Sequence, residues 1–302
     1  MADAPLIPGA RFVDPRVLAR VGNLDLVART VVDGVINGLH RTPYFGASVD
    51  FAEHRGYVPG DDIRRVDWKV FARTDRYYIK EFEADSNSNF TVLLDVSKSM
   101  AFGAKISKLD YAKTLAACLS YLVHKQKDRT GLITFDEEVV EFVPPSAKHL
   151  EVVLHTLDRA KAERPGSLGA NVKKLAEHFG RRGIVVLISD LYEEPETIMD
   201  ALSLIRFRGN DVIIFHILDP AEIEFDFKEP SAFEDLESGD QIPIVPDALG
   251  EQYRALVREH IAALTARAAE HRVDYTLLNT ATPLDYALFS YLSSRDRLTR
   301  NR

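Results

Sequence analysis

From about residue 87 onward, short apolar runs alternate along the chain with amphipathic segments of helical length. The apolar runs predict buried strands: FTVLLD (Phe90–Asp95), RTGLITF, GIVVLISDL (Gly183–Leu191), DVIIFHIL and VDYTLLN. The intervening segments predict helices. SKLDYAKTLAACLSYLVHKQ has apolar residues at helical spacing: Leu109, Ala112, Leu115, Ala116, Leu119 and Val123. This alternation predicts an α/β fold, with a mostly parallel sheet and helices on both faces.

Two parts of the chain do not follow the alternation. Residues 1–86 precede it and combine a helix-like start with a turn-rich strand segment. We therefore predict a small N-terminal extension over residues 1–86, followed by the main domain over residues 87–302. Residues 223–248 are acidic and contain Pro and Gly, so they predict an excursion between a strand and the helix that begins near Leu249.

Composition and charge limit the classes of partner. The net charge of -8 argues against general binding to nucleic acid. In Arg55–Glu83, basic and aromatic residues suggest a nucleic-acid surface, but acidic residues interleave with them. A turn at PGDD followed by a strand with solvated charges is favoured there, and a docking surface for a protein partner is the intermediate interpretation.

The chain has the character expected of a cytoplasmic protein. Its one cysteine, Cys118, cannot form an internal disulfide and predicts a small core residue in a reducing compartment. No apolar run approaches the roughly 20 residues that a membrane helix needs. The N-terminal sequence lacks a basic segment followed by an apolar one, so no signal peptide is predicted.

The stretch FTVLLDVSKSM places oxygen donors directly after a buried strand. Asp95, Ser97 and Ser99 alternate there, and Asp190 follows a second buried strand. Ligands of open α/β sheets bind outside the carboxyl ends of strands, near a topological switch point. A carboxylate with hydroxyls suits a hard cation such as Mg²⁺. Alternatively, Asp and Ser fill a turn or a helix N-cap, but Asp190 favours the metal interpretation.

A resemblance to known families adds to this interpretation. LLDVSKSM, with VVLISDL later in the chain, resembles the metal-ion-dependent adhesion site of von Willebrand factor type A domains. Arg55–Glu83, RRGIVVLISDLYEEPE and DVIIFHILDPAEIEFDFKEPSAFEDLESGDQI together resemble the family called domain of unknown function fifty-eight, from about Phe51 to the end. That resemblance implies that this protein acts as a partner of a MoxR-type AAA+ ATPase. The implied role is that of a chaperone or a factor in complex assembly.

The resemblance also implies which residues would hold the ion. Asp95, Ser97 and Ser99 match the first motif, and Asp190 matches the aspartate of the later loop. The family pattern has a threonine in a G-x-T stretch between them. Here Gly166 stands at the threonine position and Ser167 follows it, so the fifth ligand is either shifted to Ser167 or missing.

Three hypotheses for function follow. The preferred one is a non-catalytic protein-interaction module that binds Mg²⁺, with Mn²⁺ or Ca²⁺ as alternatives, and acts with a MoxR-type AAA+ ATPase in complex assembly or maturation. The second keeps the fold with a degenerate metal site, and the partner docks through residues 55–83 and 223–248. The third is a metal-assisted phosphoesterase. The sequence offers no phosphate-binding loop and no nucleophile elbow for an enzyme.

Overall fold

The described part of the chain is built around a six-stranded sheet. The structure is a computed structural model, and it describes residues 23–39, 54–56, 68–80, 88–167, 169, 179, 182–225, 231–234, 241–244, 246–288 and 291–292. The strands are β1 His54–Gly56, β2 Tyr78–Lys80, β3 Asn89–Asp95, β4 Arg129–Phe135, β5 Val139–Ser146, β6 Gly183–Ser189, β7 Asp211–Leu218, β8 Ser231–Glu234, β9 Gln241–Ile244 and β10 Asp274–Asn279. The helices are α1 Leu24–Leu39, α2 Trp68–Thr74, α3 Lys108–Lys125, α4 Leu150–Arg159, α5 Pro195–Phe207, α6 Pro220–Glu224 and α7 Pro246–Glu270, with a 3₁₀ turn at Lys98–Ala101.

The large sheet has the strand order β10-β7-β6-β3-β4-β5. Its neighbouring strands are parallel except for the pair of β4 with the edge strand β5. The chain therefore winds from β3 to one edge, returns to β6 on the other side of β3, and continues to the opposite edge. This is the order of a doubly wound α/β fold, with its switch point between β3 and β6. The predicted fold class is confirmed.

Helices cover both faces of the sheet, so the central strands β3 and β6 are buried along most of their length and are mainly apolar. Successive side chains of a strand point to opposite faces. Val92 and Leu94 accordingly lie in one core with residues of α1, α3 and α4, whereas Leu93 lies in a second core with residues of α5 and α7. This two-sided burial fixes β3 at the centre of the sheet.

Helix α3 forms as its sequence pattern predicts. Its N-cap is Ser107, whose side chain accepts a hydrogen bond from the backbone N–H of Asp110. The predicted apolar face is buried throughout: Leu109, Ala112, Leu115, Ala116, Leu119 and Val123. Cys118 is also fully buried, which confirms it as a core residue. Because α3 follows the loop after β3, its first residue lies close to the carboxyl edge of the sheet.

The N-terminal helix α1 shares the core of the sheet domain. Val27, Ala28, Val31 and Val32 are buried in the same core as α3. At the surface, the ammonium of Lys125 on α3 pairs with Asp33 at 2.6 Å. The part of the predicted extension that contains α1 is thus packed against α3.

Three other segments bear on the sequence predictions. Within 55–83, where a strand was favoured, Trp68–Thr74 is helical and ends at Asp75, whose φ of 56° stops the helix; strand β2 follows and pairs with β1. The excursion contains the antiparallel pair of β8 and β9, and α7 begins at Pro246, slightly earlier than expected. The helix predicted over NVKKLAEHFG lies outside the described residues apart from Phe179. Across the described ranges, no helix combines the length and the apolar character needed to cross a membrane.

Candidate metal centre at the carboxyl edge of the sheet

A cavity of about 220 Å³ lies at the carboxyl edge of the sheet, where β3 and β6 end. Its lining includes every residue that the sequence predicts as a metal ligand: Asp95, Ser97, Ser99, Ser167 and Asp190. These residues come from three separate stretches of the chain. The doubly wound topology brings them together at the switch point, where such folds bind ligands.

The loop after β3 directs its oxygen donors by local hydrogen bonds. Oδ1 of Asp95 accepts a hydrogen bond from the backbone N–H of Ser97 at 2.8 Å, so the turn interpretation holds for this aspartate. Ser97 is the N-cap of the 3₁₀ turn, but its hydroxyl makes no capping bond. It lies instead 3.0 Å from the hydroxyl of Ser99. The two hydroxyls are therefore adjacent, as ligands of one ion must be.

Ser189 joins the two aspartate loops. Its hydroxyl donates to Oδ2 of Asp95 at 2.6 Å and accepts from the backbone N–H of Leu191 at 3.1 Å. The sequence analysis did not single out Ser189. The only signal was its position directly before Asp190, and a serine at a strand end is common in any turn.

Both aspartates are buried, with 6 % of Asp95 and 3 % of Asp190 exposed. Burial and, second, the charge of Asp190 raise the pKa of Asp95 to about 7, although hydrogen bonds from Ser189 and Ser97 act in the opposite direction. Buried carboxylates need a compensating cation or hydrogen bonds. The predicted ligands, two carboxylates and three hydroxyls that line one cavity, form an oxygen-only donor set. This set fits a hard divalent cation such as Mg²⁺.

Gly166 lies too close to Ser97 for any side chain. A Cβ atom built on Gly166 would be 2.3 Å from Cβ of Ser97. A threonine at position 166 would therefore require the loop after β3 to move. Ser167 also lines the cavity, and its backbone N–H donates to the carbonyl of Asp136 at 3.3 Å. If this stretch supplies a hydroxyl, the donor is Ser167.

Lys108 is a component of the site that the sequence analysis missed. Its side chain is 1 % exposed, and its ammonium lies 2.7 Å from Oδ2 of Asp190 and 2.7 Å from Oε1 of Glu222. Burial lowers the pKa of this ammonium, but the charges of Asp190 and Glu222 outweigh burial and leave the pKa above its ordinary value. The sequence pattern of α3 did not indicate that Lys108 belongs to the site, because a lysine in a first helical turn is normally exposed.

Glu222 holds Lys108 from the far side and is itself positioned by Asp219. Oε2 of Glu222 accepts from the backbone N–H of Asp219 at 2.7 Å, within the capping box at the start of α6. Oδ2 of Asp219 accepts from the hydroxyl of Thr280 at 2.9 Å. A buried polar chain therefore runs from Asp190 through Lys108 to the carboxyl ends of β7 and β10.

Tyr192 forms part of the rim of the cavity. Its ring centroid lies 4.8 Å from the ammonium of Lys108, which is cation–π distance, while 51 % of the residue is exposed. Glu193 follows it in the lining and accepts a hydrogen bond from the backbone N–H of Gly169 at 3.0 Å. An aromatic and an acidic side chain thus line this side of the cavity.

The described residues hold no group of three or more His, Cys, Asp and Glu side chains arranged to bind a metal. Zinc sites and two-metal hydrolytic centres are built from such groups. The candidate centre is of another kind, with two aspartates supplemented by serine hydroxyls.

Comparison with solved structures gives likenesses at low sequence identity. One is to an aerotolerance-related membrane protein from Bacteroides fragilis NCTC 9343, with 18 % identity, a TM-score of 0.47, and coverage of 66 % of this chain and 96 % of that one. Another is to the SpRpn10 VWA domain, with 12 % identity, a TM-score of 0.38, and coverage of 67 % and 93 %. The strand order defines the fold class independently of these likenesses.

Comparison of the sequence identifies its family. The uncharacterized protein Rv1480 of Mycobacterium tuberculosis is 32 % identical over 232 residues, which is 75 % of this chain and 73 % of the relative. The family model described as "Protein of unknown function DUF58" matches residues 53–263, which include Asp95, Ser97, Ser99, Ser167 and Asp190. The chain therefore belongs to the DUF58 family of proteins of unknown function.

Proposed function

We propose that this protein is a non-catalytic interaction module, which binds a divalent cation at the carboxyl edge of its sheet and uses the ion to hold an acidic side chain of a partner. One observation carries the proposal: the predicted donors from three distant stretches line a single cavity. Mg²⁺ is the expected ion, with Mn²⁺ and Ca²⁺ as alternatives.

The donor set supports a role in docking. Asp95 and Asp190 supply the charge that the ion needs, and the serine hydroxyls are neutral ligands. Mg²⁺ usually retains several waters rather than filling its shell with protein atoms. A carboxylate from a partner can replace one of those waters and gain a charge-assisted contact. The exposed rim at Tyr192 leaves room for such an approach.

The partner that we propose is a MoxR-type AAA+ ATPase, in a role in complex assembly or maturation. This part rests on the resemblance of the sequence to its family. An acidic side chain on the ATPase or on its client would supply the carboxylate.

Calorimetric titration with Mg²⁺ and Mn²⁺ tests the ion site. Wild type should bind one ion, and the variant that combines Asp95→Ala with Ser97→Ala should bind none. Asp136→Asn is the matched control, because Asp136 is a buried aspartate just after β4 whose Oδ1 accepts from the backbone N–H of Glu138, outside the cavity lining. Equal titration curves for wild type and the double variant would contradict the metal site.

Capture of the candidate ATPase tests the docking role. Wild type and Asp136→Asn should retain the ATPase in Mg²⁺ and release it in a chelator, and the double variant should fail to retain it in either condition.

Gly166 leaves no side chain at the threonine position, which favours the second candidate, a degenerate site with docking through residues 55–83 and 223–248. Capture that survives both the chelator and the double variant would contradict metal-dependent docking and favour that candidate instead.

A further inference from the structure

Lys108 occupies one oxygen of a candidate metal ligand. Its ammonium lies 2.7 Å from Oδ2 of Asp190 and is shielded from water, since its side chain is 1 % exposed. In the part of the chain that the structure describes, no hydrogen bond is made to the other oxygen, Oδ1. Asp190 therefore has one carboxylate oxygen to offer an ion in the cavity.

Asp95 is restricted in a similar way. Its Oδ1 accepts from the backbone N–H of Ser97, and its Oδ2 accepts from the hydroxyl of Ser189. A carboxylate that accepts a hydrogen bond at each oxygen can still coordinate an ion through a remaining lone pair. It is not free to coordinate the ion through both oxygens at once. Neither aspartate of the site is thus arranged for bidentate coordination.

This restriction discriminates between ions. Ca²⁺ takes six to eight oxygen ligands and often uses bidentate carboxylates, whereas Mg²⁺ needs a near-octahedral shell of single oxygens. Bidentate binding by Asp190 would place the ion beside Oδ2, where the positive charge of Lys108 repels it. The site thus disfavours the larger ion by its own buried cation.

We propose, on the basis of the function proposed above, that Lys108 is a specificity-determining residue, which restricts Asp190 to one oxygen and makes the site select Mg²⁺ over Ca²⁺. Lys108 acts through Asp190 and is a positioning residue. Glu222 and the ring of Tyr192 hold its ammonium in place, at 2.7 Å and 4.8 Å respectively. These contacts oppose any rotation of the Asp190 carboxylate that would move Oδ2 away from the ammonium.

The test compares Mg²⁺ and Ca²⁺ affinities by calorimetry on the intact chain. The key variant combines Lys108→Met with Glu222→Gln, because it removes one positive and one negative charge and leaves the net charge of the site unchanged. The glutamine oxygen can still accept from the backbone N–H of Asp219. Asp136→Asn is the matched control, because it also neutralises a buried carboxylate, lies outside the cavity lining and leaves Lys108 with both of its partners. Circular dichroism without added ions shows that each variant is folded.

Wild type and Asp136→Asn should both prefer Mg²⁺ over Ca²⁺. In the double variant the ratio of the two affinities should fall about tenfold through a gain in Ca²⁺ binding. If Lys108 had a purely structural role, the double variant would bind both ions more weakly to the same extent. The ratio of the Mg²⁺ and Ca²⁺ affinities would then be unchanged, which would overturn the inference. If the wild-type protein bound Ca²⁺ as tightly as Mg²⁺, that result alone would overturn the inference. Wild type that binds neither ion would overturn the metal site itself, and the inference with it.

Discussion

The hydroxyl of Ser189 lies 2.6 Å from Oδ2 of Asp95, although the two residues are 94 positions apart in the sequence. They end the neighbouring parallel strands β6 and β3, on either side of the switch point. The same hydroxyl accepts the backbone N–H of Leu191. One buried side chain therefore fixes the orientation of Asp95 and closes the turn that carries Asp190.

Replacement of Ser189 by alanine should destabilise the protein and weaken ion binding. The variant leaves a buried carboxylate oxygen and a buried N–H without their partner, which costs about 1–3 kcal/mol. Urea unfolding measures the loss. Ser120→Ala is the matched control, because the hydroxyl of Ser120 is buried and has no hydrogen-bond partner among the described residues. A similar effect of both substitutions would show that the bond of Ser189 to Asp95 contributes nothing specific.

Replacement of Gly166 by alanine should abolish ion binding and lower stability by about 1–3 kcal/mol. The new methyl group would lie 2.3 Å from Cβ of Ser97, so the loop after β3 must shift. Calorimetry and urea unfolding measure the two effects. Gly34→Ala is the control. Gly34 is an exposed position of helix α1 where a Cβ meets nothing within 4 Å, and the substitution should stabilise the protein by about 0.5–1 kcal/mol. Unchanged ion affinity in Gly166→Ala would contradict the close approach.

The parts of the fold with a strong local pattern could be predicted from sequence. The strand from Asp211 to Leu218 is mainly apolar because it is covered on both faces, and its predicted and observed bounds agree. The convergence of Asp95 and Asp190 was also predictable, since the carboxyl ends of parallel strands meet at one edge. Trp68–Thr74 was not, because a seven-residue helix is too short to show a clear period.

The partners of the candidate ligands could not be predicted, because they depend on contacts between distant residues. Lys108 and Glu222 meet across 114 positions of sequence. Lys108 stands in no motif, and the capping box that contains Glu222 predicts only its local bond to Asp219. A charged residue near a helix start is normally solvated. The close approach of Gly166 to Ser97 is likewise a tertiary contact. It explains in retrospect why this position carries glycine and not threonine.

Replacement of Lys108 by methionine alone should destabilise the protein by about 3–5 kcal/mol, because Asp190 and Glu222 would remain buried without their cation. The combination with Glu222→Gln should recover part of this loss. A double-mutant cycle by urea unfolding measures the coupling between the two residues, which should be about 1–3 kcal/mol. Strictly additive losses would show that the ion pair between Lys108 and Glu222 is energetically unimportant.

Helix α1 should contribute to the stability of the main domain. Val32 is fully buried against the core that includes α3, so Val32→Ala should cost about 1–3 kcal/mol through lost burial and a cavity. Leu26→Ala on the same helix is the control, because Leu26 is 55 % exposed and should change stability by less than about 0.5 kcal/mol. Equal effects in urea unfolding would mean that α1 is not docked in solution.

Cys118 should make the fold less stable in alkaline solution. Burial raises the pKa of the Cys118 thiol to about 12 from its ordinary value of 9.0. Between these two values the unfolded chain loses the thiol proton and the folded chain keeps it. The stabilisation that comes from burying the neutral thiol is therefore fully present below about pH 9 and is lost as the pH rises towards 12.

Comparison with Cys118→Ala isolates this effect, because both chains share every other titrating group. Between about pH 8 and pH 10, the free energy of unfolding of wild type should fall by about 1 kcal/mol more than that of the variant. Alkylation at pH 8 gives an independent measure: the native thiol should react only after urea unfolds the chain, since it is fully buried. Rapid alkylation of native wild type would mean that α3 opens locally around Cys118. Parallel pH profiles for the two chains would show that the thiol titrates alike in the folded and unfolded states, and that its burial does not couple to stability.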